Sequence, residues 1–77
     1  MIKPQSEEQI LIDFGKRFKV IRRQYKLTQE SFDVDSSTIR RIETGKINTS
    51  YILIKKISTS FKLTPSELLS EIEKVEF

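Results

Sequence analysis

The chain contains no cysteine and no histidine. That removes disulfides, thiolate and imidazole metal ligands, and the commonest general base in one step. Glycine and proline number two each, which leaves little room for turns and long loops. Long apolar runs are missing as well: the longest, Tyr51-Ile52-Leu53-Ile54, has four residues, whereas a membrane-spanning helix needs about twenty. No membrane partner is expected. Residues 1–10 include Glu7 and Glu8 and no apolar secretion segment, so a cytoplasmic location is the expectation.

What is present is 77 residues, 36% hydrophobic and 32% charged, a globular balance rather than a disordered one. A single domain over 1–77 is expected, with a small core. Its stability must come from packing, within the chain alone or with a partner subunit as well. The formal charge of +3 conceals an asymmetry: residues 1–64 hold thirteen Lys/Arg against seven Asp/Glu, whereas residues 65–77 hold Lys74 against Glu67, Glu71, Glu73 and Glu76. The basic part suits a polyanion and the acidic tail does not.

Helix start and stop signals organise the chain. Ser6 with Gln9 forms a capping box, and Ile10, Phe14, Phe18, Ile21 and Tyr25 recur at spacings of three and four, which predicts one long first helix. Residues 1–13 read as an N-terminal extension of that helix and residues 14–69 as the core. Gly15, inside the helix, costs about 1 kcal/mol relative to Ala and points to close packing or a bend. Thr28, with Leu27 and Phe32 as a hydrophobic staple, starts a second helix; Asp35, with Val34 and Ile39, starts a third. Gly45 is a left-handed stop for that helix. Asn48-Thr49-Ser50 then supplies a loop and a cap for a fourth, with Ile54, Ile57 and Phe61 facing inward. Thr64, with Leu63, Leu68, Pro65 and Glu67, starts a fifth, and residues 70–77 form its end and tail. The expected fold is all-α, with five helices and no strand.

The second and third of these helices are joined by a very short turn, and the third opens with Ser36-Ser37-Thr38 and carries Arg40 and Arg41. A helix-turn-helix presents its recognition helix to a major groove in this way. Ser-Ser-Thr also caps ordinary helices, and arginines also line solvated faces, so the pattern alone leaves both readings open.

More of the chain bears on the choice: Phe14-Gly15 with Arg22; Leu27-Thr28-Gln29-Glu30; Ser37-Thr38-Ile39-Arg40-Arg41-Ile42-Glu43-Thr44-Gly45-Lys46; Asn48 and Ser50; and Leu63-Thr64-Pro65-Ser66-Glu67-Leu68-Leu69. This text resembles the lambda-repressor-like helix-turn-helix family, which includes phage repressors and the small controller proteins of restriction–modification systems. The resemblance implies a five-helix DNA-binding domain with double-stranded DNA as partner. It implies that Gln29, beside Thr28, contacts the DNA backbone and supports the recognition helix. Ser36, Ser37, Thr38 and Arg41, with Arg40 adjacent, would reach bases or nearby phosphates, and Lys46 and Asn48 would contact the backbone. Arg22 and Glu43 match a family ion pair between the first helix and the end of the third.

The chain departs from the family in one place. Only Glu30-Ser31-Phe32-Asp33-Val34-Asp35 separates Gln29 from Ser36, about four residues fewer than usual. Four residues are close to one helical turn, so the second helix is expected to shrink to little more than one turn, with Asp33 turning the chain where glycine normally does.

Other functions fail on their own requirements. Asp33, Asp35 and Ser37 imitate a calcium loop, but Thr38 and Thr44 stand where that loop needs Gly and Glu. Glu7/Glu8 and Glu71/Glu73 are too close in sequence to share a helix face as an acid/base pair. No glycine-rich phosphate loop exists. Neither catalysis, nor a metal, nor a cofactor is expected.

Apolar residues are left over. Ile72, Val75 and Phe77, with Ile52 and Leu53 off the inward stripe of the fourth helix, are assigned to a dimer interface; Leu69 joins them, although it also suits the core. A homodimer would match the two-fold symmetry of palindromic sites. The alternative is an antitoxin-like or peptide-sensing module that uses the same surface for a different protein.

Overall fold

The computed structural model describes residues 5–77; Met1 to Pro4, part of the expected extension, lie outside the described residues. Helix α1 spans Glu7–Gln24, a 3-10 turn covers Gln29–Ser31, and α2 (Ser36–Glu43), α3 (Tyr51–Phe61) and α4 (Pro65–Glu73) follow. No helix among the described residues is long and apolar enough to cross a membrane.

Among the described residues the fold is all-α, but the count of five helices is corrected to four α-helices and one 3-10 turn. The reason lies in the link. Phe32 and Val34 must both reach the core, and residues two apart share a face only in extended chain. The backbone is accordingly extended at Phe32 (φ −102°, ψ 156°). Asp33 does not turn the chain through the left-handed region: the positive-φ residues are Lys26, Lys62 and Gly45.

Elsewhere the start signals act as their chemistry dictates. The Oγ atoms of Ser6, Ser50 and Thr64 accept hydrogen bonds from the amides of Gln9, Leu53 and Glu67 at 3.1–3.2 Å. Glu67 Oε1 in turn accepts from the Thr64 amide at 2.8 Å, which completes a capping box. Asp35 occupies the cap position of α2, but its side chain makes no capping hydrogen bond.

A cluster of rings fills the centre. Phe18, Phe32 and Phe61 lie 5.6–6.0 Å apart by centroid, surrounded by Ile21, Ile39, Ile42, Ile57 and Leu68. Two residues assigned to a partner surface belong to this core instead: Ile72 is 1% exposed and Val75 9%. Ile72 follows Leu68 by four residues and lies on the same face of α4. Val75 is held by an arginine: Arg17 Nη1 donates to the carbonyls of Val75 and Glu73, its Nε pairs with Asp13 at 2.8 Å, and its guanidinium lies 5.4 Å from the exposed Phe77 ring.

Candidate nucleic-acid interface

Gly15 determines how closely α2 approaches α1. A Cβ at this position would stand 2.3 Å from the Ile42 carbonyl oxygen and 2.8 Å from that of Glu43, so the end of α2 touches bare backbone of α1 and a larger residue would force the helices apart. At the same end Gly45, at φ +71°, turns the chain, with its amide donating to the Ile42 carbonyl and that of Lys46 to the Arg41 carbonyl. This left-handed closure satisfies the last carbonyls of α2 and sends residues 46–50 toward α3.

One buried carboxylate ties three elements together. Arg22 on α1 grips Glu43 at the end of α2, Nε to Oε2 at 2.6 Å and Nη2 to Oε1 at 3.2 Å. Its Nη1 donates to the Leu27 carbonyl at 2.9 Å, and Gln29 Nε2 on the 3-10 turn donates to Glu43 Oε1 at 3.1 Å. Planar guanidinium against carboxylate fixes orientation as well as distance. The position of α2 relative to α1 and to the turn is therefore held by directed bonds as well as by apolar packing.

The remaining residues singled out in the sequence occupy the outside of this frame. Thr28, Ser37, Arg40, Arg41, Lys46 and Asn48 are exposed, and Gln29, Ser36 and Thr38 are half-buried. At the start of α2 the amides of Thr38 and Ile39 both donate to the Asp35 carbonyl, and among the described residues those of Ser36 and Ser37 have no protein acceptor. Arg40 and Arg41 form no ion pair among the described residues. The result is a short helix with small residues and free amides at its first turn and two unneutralised guanidinium groups at its end, a surface suited to phosphate and base edges.

The interface residues divide. Ile72 and Val75 are internal, as shown above. Phe77 is 76% exposed, Ile52 68% and Leu69 40%, while Leu53 is half-buried. Sequence reasoning missed Tyr51, also 68% exposed, and Ile10, which recurs at the helical spacing of α1 but is half exposed. The apolar run Tyr51 to Ile54 was the available signal: only one residue in such a run can point straight inward on a helix. Ile10, Tyr51 and Leu69 rim an open groove of about 320 Å³ floored by Leu11, Phe14, Ile54 and Pro65, and Thr49 Oγ1, at its edge, is buried without a hydrogen-bond partner.

Comparison with known proteins agrees with this geometry. The Helix-turn-helix family matches residues 18–68. The control protein C.MunI of Mycoplasma sp is 43% identical over 70 residues, a match that takes in 84% of this chain and 95% of that protein. The crystal structure of the restriction-modification controller protein C.AhdI from Aeromonas hydrophila superposes with a TM-score of 0.70 at 31% identity, covering 78% of this chain and 97% of that one. The chain belongs to the lambda-repressor-like helix-turn-helix family of DNA-binding transcription regulators.

Proposed function

We propose that this chain is a sequence-specific regulator that reads double-stranded DNA by laying α2 in the major groove, and that it acts as a homodimer in the cytoplasm without a cofactor. The observation that carries the reading is the Glu43 carboxylate shared by Arg22 and Gln29. A helix that reads base edges must be held rigidly, and these bonds lock α2 from behind while leaving its outer residues free. In this reading Ser36, Ser37, Thr38 and Arg41 face bases and adjacent phosphates, with Arg41 able to bind guanine bidentately. Arg40, Thr28, Gln29, Lys46 and Asn48 contact the backbone. Occupancy of a promoter-region site then blocks or recruits polymerase. The resemblance to a control protein and a restriction-modification controller protein makes control of a restriction–modification system the first setting to test.

For the dimer, the exposed apolar surface supports Ile52, Leu69 and Phe77, with Leu53 at the margin, and adds Ile10 and Tyr51. The same surface suits an antitoxin or a peptide-sensing module, in which a different protein covers it. Co-purification separates the two: a symmetric dimer alone supports the first, a stable heterologous complex the second.

The decisive experiment is selection of bound sequences from a random duplex pool. Two-fold symmetric sites with half-sites about 34 Å apart are expected, with affinity falling by about 0.9 log unit per log unit of salt for each phosphate contact. Arg41→Ala should reduce discrimination between sequences, and Lys46→Ala should weaken all duplexes alike. Absence of binding to every member of the pool overturns the proposal.

A further inference from the structure

Of the positive-φ residues, Gly45 is conformationally free, but Lys26 (φ 58°) and Lys62 (φ 60°) carry a Cβ into a region that disfavours one. Both lie just beyond a helix in the same closure. The Lys26 and Leu27 amides donate to the Arg23 and Arg22 carbonyls, and the Lys62 and Leu63 amides to those of Thr59 and Ser58. Glycine is the ordinary occupant of that position. The two turns share their text, Tyr25-Lys26-Leu27-Thr28 and Phe61-Lys62-Leu63-Thr64, and stand side by side, with the Tyr25 and Phe61 rings edge to face at 5.1 Å. Both lysines are exposed, so neither is required by packing.

Their surroundings differ. A positive charge at a helix C-terminus is favourable, and α3 has no basic residue in its last turn, so Lys62 supplies a charge its helix otherwise lacks. Helix α1 already has the exposed Arg23 in its last turn, beside the Glu43-paired Arg22, so this explanation is spent before Lys26 is reached. The left-handed turn itself serves to close α1, but glycine would serve that end without strain, so the lysine side chain calls for a function of its own. Lys26 immediately precedes Leu27-Thr28-Gln29, the start of the 3-10 turn, and the exposed Arg23 lies one helical turn behind.

We propose that Lys26, seconded by Arg23, contacts backbone phosphates of the duplex beyond the end of the helix-turn-helix, which widens the footprint on the Thr28–Gln29 side. The inference rests on the DNA-binding reading above and assigns a further residue to it.

Glycine suits the conformation of both positions, so Lys26→Gly and Lys62→Gly keep their turns and melt no more than a few degrees from wild type. On a selected duplex, Lys26→Gly lowers affinity and reduces the slope of log affinity against log salt by about one unit. The drop between 50 and 200 mM salt then becomes about three- to fourfold smaller than in wild type. Phosphate-ethylation interference loses a position outside the half-site. Lys62→Gly binds as wild type. The inference is overturned if Lys26→Gly keeps wild-type affinity and slope, or if Lys62→Gly loses as much. Arg41→Ala separates the two readings: wild-type binding that Arg41→Ala impairs and Lys26→Gly does not removes only the Lys26 contact, whereas a wild-type chain that binds no duplex removes both.

Discussion

The turn after α1 and the turn after α3 begin alike and end differently. Each runs from an aromatic residue through a left-handed lysine and a leucine to a threonine at a helix start, yet Thr28 leads into three residues of 3-10 helix and Thr64 into the nine residues of α4. After Thr64 come Pro65, with φ already set for a helix, and Glu67, which closes the capping box. Leu68 and Ile72, four apart, are then both buried. After Thr28 the place of Glu67 is taken by Ser31, whose Oγ accepts from the Thr28 amide at 2.8 Å, and the next inward residues, Phe32 and Val34, are two apart. Capping starts both segments, but the spacing of the following apolar residues decides how far each runs.

The largest effect should come from removing the residue that anchors the short segment. Phe32→Ala is expected to cost about 3–5 kcal/mol, because its ring meets Phe18 and Phe61 and a single turn has almost no stability of its own. Leu68→Ala should cost about 2–5 kcal/mol as ordinary core loss, but α4 should persist, held by Ile72 and its cap. Denaturant unfolding gives the energies, and amide exchange gives the difference: protection over residues 28–35 is lost in the first variant and that of α4 is kept in the second. Loss of α4 protection in Leu68→Ala would show that the two segments do not differ in the way proposed.

Next in size is the bond that substitutes for length. Gln29 reaches Glu43 from the 3-10 turn, whereas the tie to α4 comes from Arg17 and meets only the backbone carbonyl of its last residue, Glu73. Glu43→Gln leaves the Arg22 guanidinium buried without its counter-charge and should cost about 2–3 kcal/mol. It should also weaken DNA binding by more than the lost folded fraction explains, since α2 is no longer locked. Equal stability in the two proteins would mean that the pair is compensated by water.

Between these and the smallest effect lies the pair of threonine caps. Thr64 Oγ1 accepts from the Glu67 amide, whereas the Ser31 amide is satisfied by the Thr28 carbonyl at 3.1 Å and Thr28 Oγ1 lies 3.1 Å from the Ser31 hydroxyl. Thr64→Ala should therefore cost about 1 kcal/mol, and Thr28→Ala less than about 0.5 kcal/mol. Thermal melts of the two variants rank them directly, and the reverse order would contradict the assignment.

Most of the fold was legible where local chemistry and apolar period agree: the starts of α1, α3 and α4, the Gly45 stop and the inward stripe Ile54, Ile57 and Phe61 all follow from side chains close in sequence. Gly15 was legible only as an anomaly, because the backbone it admits lies on α2. The ion pair of Arg22 and Glu43 came from family resemblance rather than from spacing. The tail was misread because its cover is remote. Val75 is buried through Arg17, 58 residues away in sequence, and only the Asp13–Arg17 spacing hinted that this arginine was engaged. The interface was half legible for a related reason: sequence shows which apolar residues are in excess, but their distribution between core and surface depends on how α1, α3 and α4 meet.

The smallest expected effect concerns the third start signal, at Asp35, where the text promises a cap worth about 1 kcal/mol. The structure withholds the bond. The residue occupies the cap position with φ −58° and ψ 139°, but its side chain accepts from none of the amides of α2, and the Thr38 and Ile39 amides are already satisfied by its carbonyl. What remains is a carboxylate near the positive end of an eight-residue helix, an interaction of about 0.3–1 kcal/mol at low salt that counterions screen. Asp35→Ala should therefore cost about 0.5 kcal/mol or less at low ionic strength and almost nothing in high salt, unlike Thr64→Ala, whose hydrogen bond salt does not screen. Melting both variants across a salt series tests this. A loss near 1 kcal/mol for Asp35→Ala that persists in high salt would establish a capping bond at α2 and make its start equivalent to that of α4.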